Sequence, residues 1–362
     1  MTSERESVRH SANRTGILCA LVAAALFGAS TPFAKLLLDA FPPVALAGLL
    51  YAASGVGLLG WFGLRRFLFH HTRREAPLAR RDLPWLAGAI AAGGVAAPVL
   101  LLVGLAATPA ASAALLLNLE GVFTALLAWF VFRENVDRRI AFGMGLIVLA
   151  GVLLSWGGEA GAHGLSLGAA AIAAACLGWA IDNNLTRKVS AADPVQIAGI
   201  KGLVAGAVNL GIAAAGGWTP PSLGALLGGA VVGLFGYGIS LALFVRALRD
   251  LGTARTGAYF STAPFIGAGL ALLLLHETPG LLFWTAAGLM AIGVWLHLTE
   301  RHAHIHEHEA LTHRHAHVHD EHHRHEHDFP WDGREPHTHD HEHRPLMHSH
   351  PHYPDIHHRH RH

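Results

Sequence analysis

The chain has little cysteine, little charge and no motif of enzyme chemistry, and each shortage excludes something. Two cysteines, Cys19 and Cys176, occur in 362 residues, both inside apolar stretches. They provide no disulfide framework and no CxxC pair, and read as packed or lipid-region thiols. Charged residues make up 14% of the chain against 52% hydrophobic ones, with a net charge of +1. That balance says nothing for a nucleic-acid partner. There is no nucleophilic triad, P-loop, dinucleotide fingerprint or HExxH, so no enzyme and no required cofactor is indicated.

What the chain does have is a rhythm in its few charges. The basic residues before position 301 fall in short clusters: Arg5, Arg9 and Arg14; Arg65, Arg66, Arg73, Arg74, Arg80 and Arg81; Arg133, Arg138 and Arg139; Arg187 and Lys188; Arg246, Arg249 and Arg255. These 17 cations alternate with gaps around 39–43, 107–110, 157–164, 216–222 and 276–280 that hold none. Short basic loops stay on the cytoplasmic side, so both termini are expected there. Lys35 and Lys201 alone break the pattern.

Between the clusters lie apolar runs long enough to cross a bilayer, which needs about 20 residues per helix. The expected spans are 16–38, 44–64, 83–106, 110–132, 139–156, 165–185, 194–215, 223–246, 254–275 and 280–298. Helix breakers mark several turns: Pro42-Pro43, Pro109, Pro194, Pro220-Pro221 and Pro279. The 41 glycines and abundant alanine suit helices packed closely in lipid. The fold class is therefore an all-α membrane protein of ten transmembrane helices in two halves, 16–156 and 165–298. A cytoplasmic N-terminus, 1–15, precedes them and a tail, 301–362, follows. Five helices per half reverse the second half, so an internal repeat must be inverted.

That repeat is legible. The fourth segment ends Leu126-Leu127-Ala128-Trp129-Phe130-Val131-Phe132-Arg133-Glu134, and the ninth ends Gly269-Leu270-Ala271-Leu272-Leu273-Leu274-Leu275-His276-Glu277. With the two glutamates aligned, Ala125 meets Ala268, Leu105 meets Leu248 and Ala111 meets Ala254. With Leu119-Glu120-Gly121, Phe244-Val245-Arg246-Ala247-Leu248 and Ala263-Pro264, these residues resemble the drug/metabolite transporters built from two EamA domains. The resemblance covers roughly residues 16–298. It implies ten helices in two inverted repeats, and a substrate among amino acids, other metabolites, drugs or sugar nucleotides. The family pattern places a proline just after the mid-helix Glu or its equivalent; this chain has Pro264 in the second half but Gly121 in the first.

Ionisable groups inside a bilayer cost at least a few kcal/mol and face a cavity or a partner. Glu120 lies about ten residues into the fourth segment, near its middle at 1.5 Å per residue, and is read as a substrate or proton site. Asn118, two residues away, points to another face and is expected to bond a neighbouring helix. Lys35 is close enough to the outer end to snorkel outward. Lys201 lies deeper and calls for a cavity or an acid partner. Asp182 is the candidate acid, in a polar cluster with Asn183 and Asn184. Glu120, Asn118, Lys201, Asp182, Asn183 and Lys35 are the candidate substrate or coupling residues.

The tail is of another kind. Residues 301–362 hold 23 of the 29 histidines and almost no aliphatic side chains, so they cannot bury a core and are expected to be disordered. His302, His304, His306 and His308, then His313, His315, His317 and His319, then His337, His339, His341 and His343 recur at every second position. Alternate residues of an extended chain point the same way, and neutral imidazole suits Ni, Zn, Co or Cu. Divalent metal ions are thus expected partners of the tail, beside a small-molecule substrate and the lipid bilayer. The expected location is a bacterial inner membrane. The functional expectation is a secondary transporter, an exporter of a small metabolite such as an amino acid or drug-like compound, with an accessory metal-binding arm. The alternatives are a divalent metal transporter fed by the tail, and a membrane-anchored metal sensor or buffer.

Overall fold

The computed structural model describes residues 2–69, 80–132, 138–156, 166–187, 189, 194–251, 253–298, 303–307, 311–317, 337–343 and 347–351. The helices among them group into ten successive rods. Rod 1 is Thr2–Leu37 and rod 2 Pro43–Phe69. Rod 3 joins Leu83–Ala89, a π-helical turn at Ile90–Ala96, and Ala97–Ala106. Rod 4 is Ala110–Leu116 followed by Leu119–Phe132, and rod 5 is Arg138–Ser155. Rods 6 and 7 are Leu167–Arg187 and Pro194–Ala215. Rod 8 joins Leu223–Val232, a second π-helical turn at Gly233–Ile239, and Ser240–Leu251. Rod 9 is Thr253–Phe260 followed by Ala263–Leu274, and rod 10 is Leu281–Leu298. Seven of these stretches are long and apolar enough to cross a membrane.

The ends follow from local chemistry. Pro43 and Pro194 open their rods where a missing N–H costs nothing. Ser222 caps rod 8 by accepting from the Ala225 N–H at 3.4 Å. Rod 7 stops at a turn where Gly217 takes a φ of 80°, which L side chains avoid. Large apolar side chains point outward: Leu281 is 81% and Phe130 71% exposed. An apolar exterior over this extent needs lipid to cover it.

Packing obeys a two-fold rule in which rods n and n + 5 exchange. Rod 1 packs on the second part of rod 8, and rod 6 on the second part of rod 3. Rod 1 packs on rod 9 as rod 6 packs on rod 4, while rods 2 and 7, 4 and 9, and 5 and 10 pair with each other. The π-helical turns obey it as well. Ile90 and Gly233 are 143 residues apart (233 − 90), the offset that aligns Glu134 with Glu277 (277 − 134). Arg133 and Glu134 themselves lie outside the described residues. Glycines let the paired rods touch at the backbone. A methyl on Gly202 of rod 7 would lie 2.8 Å from the backbone nitrogen of Gly55 in rod 2. One on Gly293 of rod 10 would lie 2.7 Å from the carbonyl oxygen of Gly143 in rod 5.

The tail departs from the expectation of disorder. Among its described residues, β1 (Ala303–Glu307) pairs antiparallel with β4 (Met347–Pro351), and β2 (Leu311–His317) pairs antiparallel with β3 (His337–His343). The described residues between 2 and 298 form only helices and turns. Lack of aliphatic residues argues against a core, but a ladder needs none: its backbone groups satisfy each other, and an every-second-residue pattern is a strand pattern. His302, His308 and His319 lie outside the described residues.

Candidate functional site

Glu120 follows a break in rod 4. The chain leaves α-helical bonding after Leu116 and tightens: Leu117 N–H donates to Ala114 O, Asn118 N–H to Leu115 O and Glu120 N–H to Leu117 O, all three residues back. The Asn118 amide donates to Leu115 O at 2.9 Å, offering the backbone an alternative to the helix ladder. Rod 9 breaks at the matching place, Ser261–Thr262, with Pro264 in the first turn beyond. The break in rod 4 thus forms without the proline, with Gly121 in its place. Broken helices bring polar groups to the middle of a bundle where a site is needed.

Glu120 is half-buried, and its carboxyl accepts from the Asn183 amide of rod 6 at 2.9 Å. Gly121 is exposed, and a methyl added there would meet nothing within 4 Å, so no neighbouring rod packs on that face of rod 4. Asn118 is buried and turned elsewhere, with its amide 3.8 Å from Met290 Sδ of rod 10. It does not join Glu120. Asn184 donates to Ala180 O within its own rod at 2.8 Å.

Asp182 and Lys201 do meet. Lys201 Nζ donates to both Asp182 carboxylate oxygens, at 2.5 and 2.8 Å, and to Thr186 Oγ1 at 3.2 Å. Thr186 donates to Asp182 at 2.8 Å. The pair is nearly dry, with side chains 14% exposed for Lys201 and 9% for Asp182. Asp182 and Asn183 are neighbours on rod 6, so the ion pair and the Glu120 contact share one turn of helix.

Four residues at this centre escaped the sequence reading. Gly93, in the π-helical turn of rod 3, packs directly against the Asp182 carboxylate. Its carbonyl oxygen accepts from Tyr51 Oη and from Trp179 Nε1, each at 3.0 Å. Trp179 Nε1 also lies 3.4 Å from Tyr51 Oη. Bonding five residues back misaligns carbonyls with their usual partners and frees them for side chains. Tyr237, from the second π-helical turn, stacks obliquely on Tyr51 with centroids 5.5 Å apart, and Phe27 and Phe260 continue the aromatic wall. A signal was there: glycine pairs at 93–94 and 236–238 sit inside otherwise regular helices at corresponding places in the two halves.

Lys35 serves a separate site at the opposite end of rod 4. Its Nζ donates to the carbonyls of Leu105 at 2.5 Å, Thr108 at 3.1 Å and Ala106 at 3.2 Å, where rod 3 ends. Beside the charge-free gap at 107–110, it satisfies carbonyls that the end of a helix leaves short of donors. Two residues further along the chain, the N–H groups of Ala110 and Ala111 donate to Glu277 at 2.7 and 3.0 Å, capping the start of rod 4 from rod 9's far end. His276, with a φ of 53°, makes the reversal that aims Glu277 back. One turn between rods 3 and 4 is thus held by a cation from the first half and an anion from the second.

Two five-rod repeats meeting at buried ionisable side chains, in a shell of apolar residues, define an integral membrane transporter. The chain belongs to the EamA-like transporter family, whose profile matches residues 14–156 and 166–299. It is 30% identical over 299 residues to an uncharacterized transporter of Methanothermobacter thermautotrophicus, a match covering 78% of this chain and 85% of that one. A solved structure titled only as a crystal structure of a protein superposes with a TM-score of 0.56 at 20% identity. It covers 79% of this chain and 95% of the other, and is a likeness of fold.

Proposed function

We propose that the protein is a secondary transporter that exports a small metabolite, such as an amino acid or drug-like compound, through a site centred on Glu120. The observation that carries this reading is Glu120 itself. It follows a break in rod 4, is half-buried, and accepts from the Asn183 amide of rod 6, in the second repeat. A carboxyl so placed binds a cationic group or exchanges a proton with the substrate. The Asp182–Lys201 pair next to it supplies one charge of each sign to the same region.

Ten spans in a bacterial inner membrane, with both termini cytoplasmic, fit the alternation of basic and charge-free loops. Reporter fusions after Ala160 and after His362 are expected in opposite compartments; the same compartment for both would remove the inverted arrangement. The tail then lies in the cytoplasm as an accessory arm for Ni, Zn, Co or Cu. The deciding experiment is transport in reconstituted vesicles, using a panel of labelled amino acids and cationic dyes, and Ni, Co and Zn in parallel. Glu120→Gln is expected to abolish or uncouple transport of the organic substrate while inserting normally. Truncation after Glu300 is expected to preserve that transport and alter only its response to metal. Flux of metal alone, lost on truncation, would establish the metal-transporter reading instead.

A further inference from the structure

The exchange of rods n and n + 5 pairs each contact in the bundle with a second contact that can be set beside it. The two halves part company at the ends of rods 4 and 9. The first part of rod 4, Ala110–Leu116, packs closely on the second part of rod 9, Ala263–Leu274. Ala114 is fully buried there, and a methyl on Gly267 would lie 3.2 Å from its Cβ. The exchanged contact would join Thr124, on the second part of rod 4, to Gly257, on the first part of rod 9 (267 − 124 and 257 − 114 are both 143). Among the described residues these two parts make no comparable contact. Gly257 is exposed, and a methyl on it would meet nothing within 4 Å. Pro264 and Gly121, another exchanged pair, divide the same way, with Pro264 buried and Gly121 exposed. Rod 1 also packs on the first part of rod 4, whereas rod 6 makes no comparable contact with the first part of rod 9 among the described residues.

The closed end carries the two ions. Lys35 of rod 1 donates to the carbonyls of Leu105, Thr108 and Ala106, and Glu277, just beyond rod 9, accepts from the N–H groups of Ala110 and Ala111. One turn is thus gripped by five hydrogen bonds, each with a charged group at one side, which is the stronger kind. Rods 4 and 9 cannot separate at this end unless the grip on the turn is released. The exchange carries Lys35 onto Gly178, which has no side chain to repeat the grip at the other end. The closed end borders the charge-free gap at 107–110, and the other end of rod 4 runs towards the basic cluster at 133–139.

We propose that Lys35 and Glu277 are the latch of a gate that seals the Glu120 site at the charge-free end, while the unpacked parts of rods 4 and 9 leave that site open at the basic end. Releasing the latch lets the two ends trade places: Ala114 leaves Gly267, and Thr124 closes on Gly257. Packed interfaces switch between discrete arrangements rather than deforming continuously, and an arrangement with its exchanged twin supplies two such states. Small residues at three of the four positions let the rods approach closely when they meet. This rests on the reading of Glu120 as the substrate site, and adds the end from which that site is loaded and the contacts that must break to empty it. With the basic loops in the cytoplasm, the open end is the one at which an exporter takes up its substrate.

The test uses the full-length protein in lipid nanodiscs, where both ends meet the buffer and orientation does not matter. With Cys19 and Cys176 replaced by alanine, one cysteine is introduced as Ala114→Cys or as Gly257→Cys, and its rate of reaction with a water-soluble maleimide is measured. With the latch intact, Gly257→Cys is expected to react fast and Ala114→Cys slowly. With Lys35→Met and Glu277→Gln added, Ala114→Cys is expected to react about tenfold faster or more, since one hydrogen bond to a charged group already changes an equilibrium by about that factor. Gly257→Cys is expected to slow in the same protein. Lys35→Arg with Glu277 retained keeps a cation within reach and is expected to leave both rates near those of the intact latch. Slow reaction at Gly257→Cys with the latch intact, or unchanged rates without it, overturns the proposal. Acceleration at both positions also overturns it, because the ions then hold the bundle together without gating it. The labelling needs no substrate, so it is read apart from the Glu120 site: if Glu120→Gln transports normally while the labelling shifts as expected, the gate stands and the site lies elsewhere.

Discussion

The Asp182–Lys201 pair offers the sharpest test of how this bundle is held, because replacing both members is expected to cost less than replacing either one. Lys201→Met leaves the Asp182 carboxylate at 9% exposure with only the Thr186 hydroxyl, 2.8 Å away. Asp182→Leu leaves the Lys201 ammonium with the same hydroxyl at 3.2 Å. Stranding one member of a buried pair costs about 3–5 kcal/mol, whereas replacing both with apolar residues is often neutral or stabilising. The double replacement Asp182→Leu with Lys201→Met is therefore expected near wild-type stability, with a coupling energy of about 3 kcal/mol or more between the two positions. Leucine must also fit against Gly93, so a residual cost of about 1–3 kcal/mol for overpacking is allowed. The assay is unfolding in mixed micelles by titration with a denaturing detergent, monitored by tryptophan emission. Single losses that simply add in the double variant, with coupling under about 0.5 kcal/mol, would refute the account. Transport by the double variant then separates roles: a stable protein that no longer transports assigns the charges to the substrate path, and a stable active one makes them scaffold.

Three further outcomes are expected. Glu277→Gln removes charge from the cap on Ala110 and Ala111 and is expected to cost about 1–2 kcal/mol in the same unfolding assay. His276→Gly, which relieves a left-handed backbone worth about 1 kcal/mol, is expected to leave stability unchanged or raised; a loss larger than that would show the imidazole contributes. Gly293→Ala, which drives a methyl into the Gly143 carbonyl, is expected to cost about 1–3 kcal/mol and to lower the thermal midpoint of the purified protein. Zinc retention by the tail is expected to hold at pH 7.5 and fall below about pH 6, because the ligand is the neutral imidazole and its ordinary pKa is about 6.5.

The fold was legible in the sequence where its cause is local or periodic. Loop cations and apolar length gave the rods, and the shared run before Glu134 and Glu277 gave the repeat offset that the two π-helical turns obey. The ion pair was legible in part: Lys201 was too deep to snorkel and Asp182 was the nearest acid, so only the contact was missing. Tyr51 and Trp179 were not legible, because nothing in a tyrosine on an apolar helix says that a freed carbonyl waits on another rod. Lys35 reaches the turn at 105–108, at its own end of the bundle, and only its partners, the carbonyls of Leu105, Ala106 and Thr108 on another rod, were not legible. The tail was judged by composition, which measures whether a core can form and is silent about a ladder.

The two halves match in mechanics and differ in chemistry, and that difference bears on how a carrier of this design works. Each half contributes a π-helical turn, a broken helix and glycine contacts at corresponding places, so each can make the same movement against the other. The charges do not follow the symmetry. Gly93 in rod 3 rests on Asp182 of rod 6, but its counterpart Gly236 in rod 8 rests on Ser30 of rod 1. Glu120 follows the break in rod 4, but Ala263 and Pro264 follow the break in rod 9. A repeat that moves needs its twin to be mechanically alike, whereas a substrate that is not itself symmetric needs a site that is not. Glu120, Asp182 and Lys201 fall on one side of the pseudo-two-fold exchange, so the binding chemistry is unequal while the moving frame is shared. Introducing an acid at Ser30, as Ser30→Asp, is therefore expected to disturb the protein more than its small change in volume implies. It would bury a second carboxylate where no second lysine stands, at a cost of several kcal/mol unless the group takes up a proton. The unfolding assay measures that cost directly, and a stable, fully active Ser30→Asp protein would mean that the charge asymmetry is incidental.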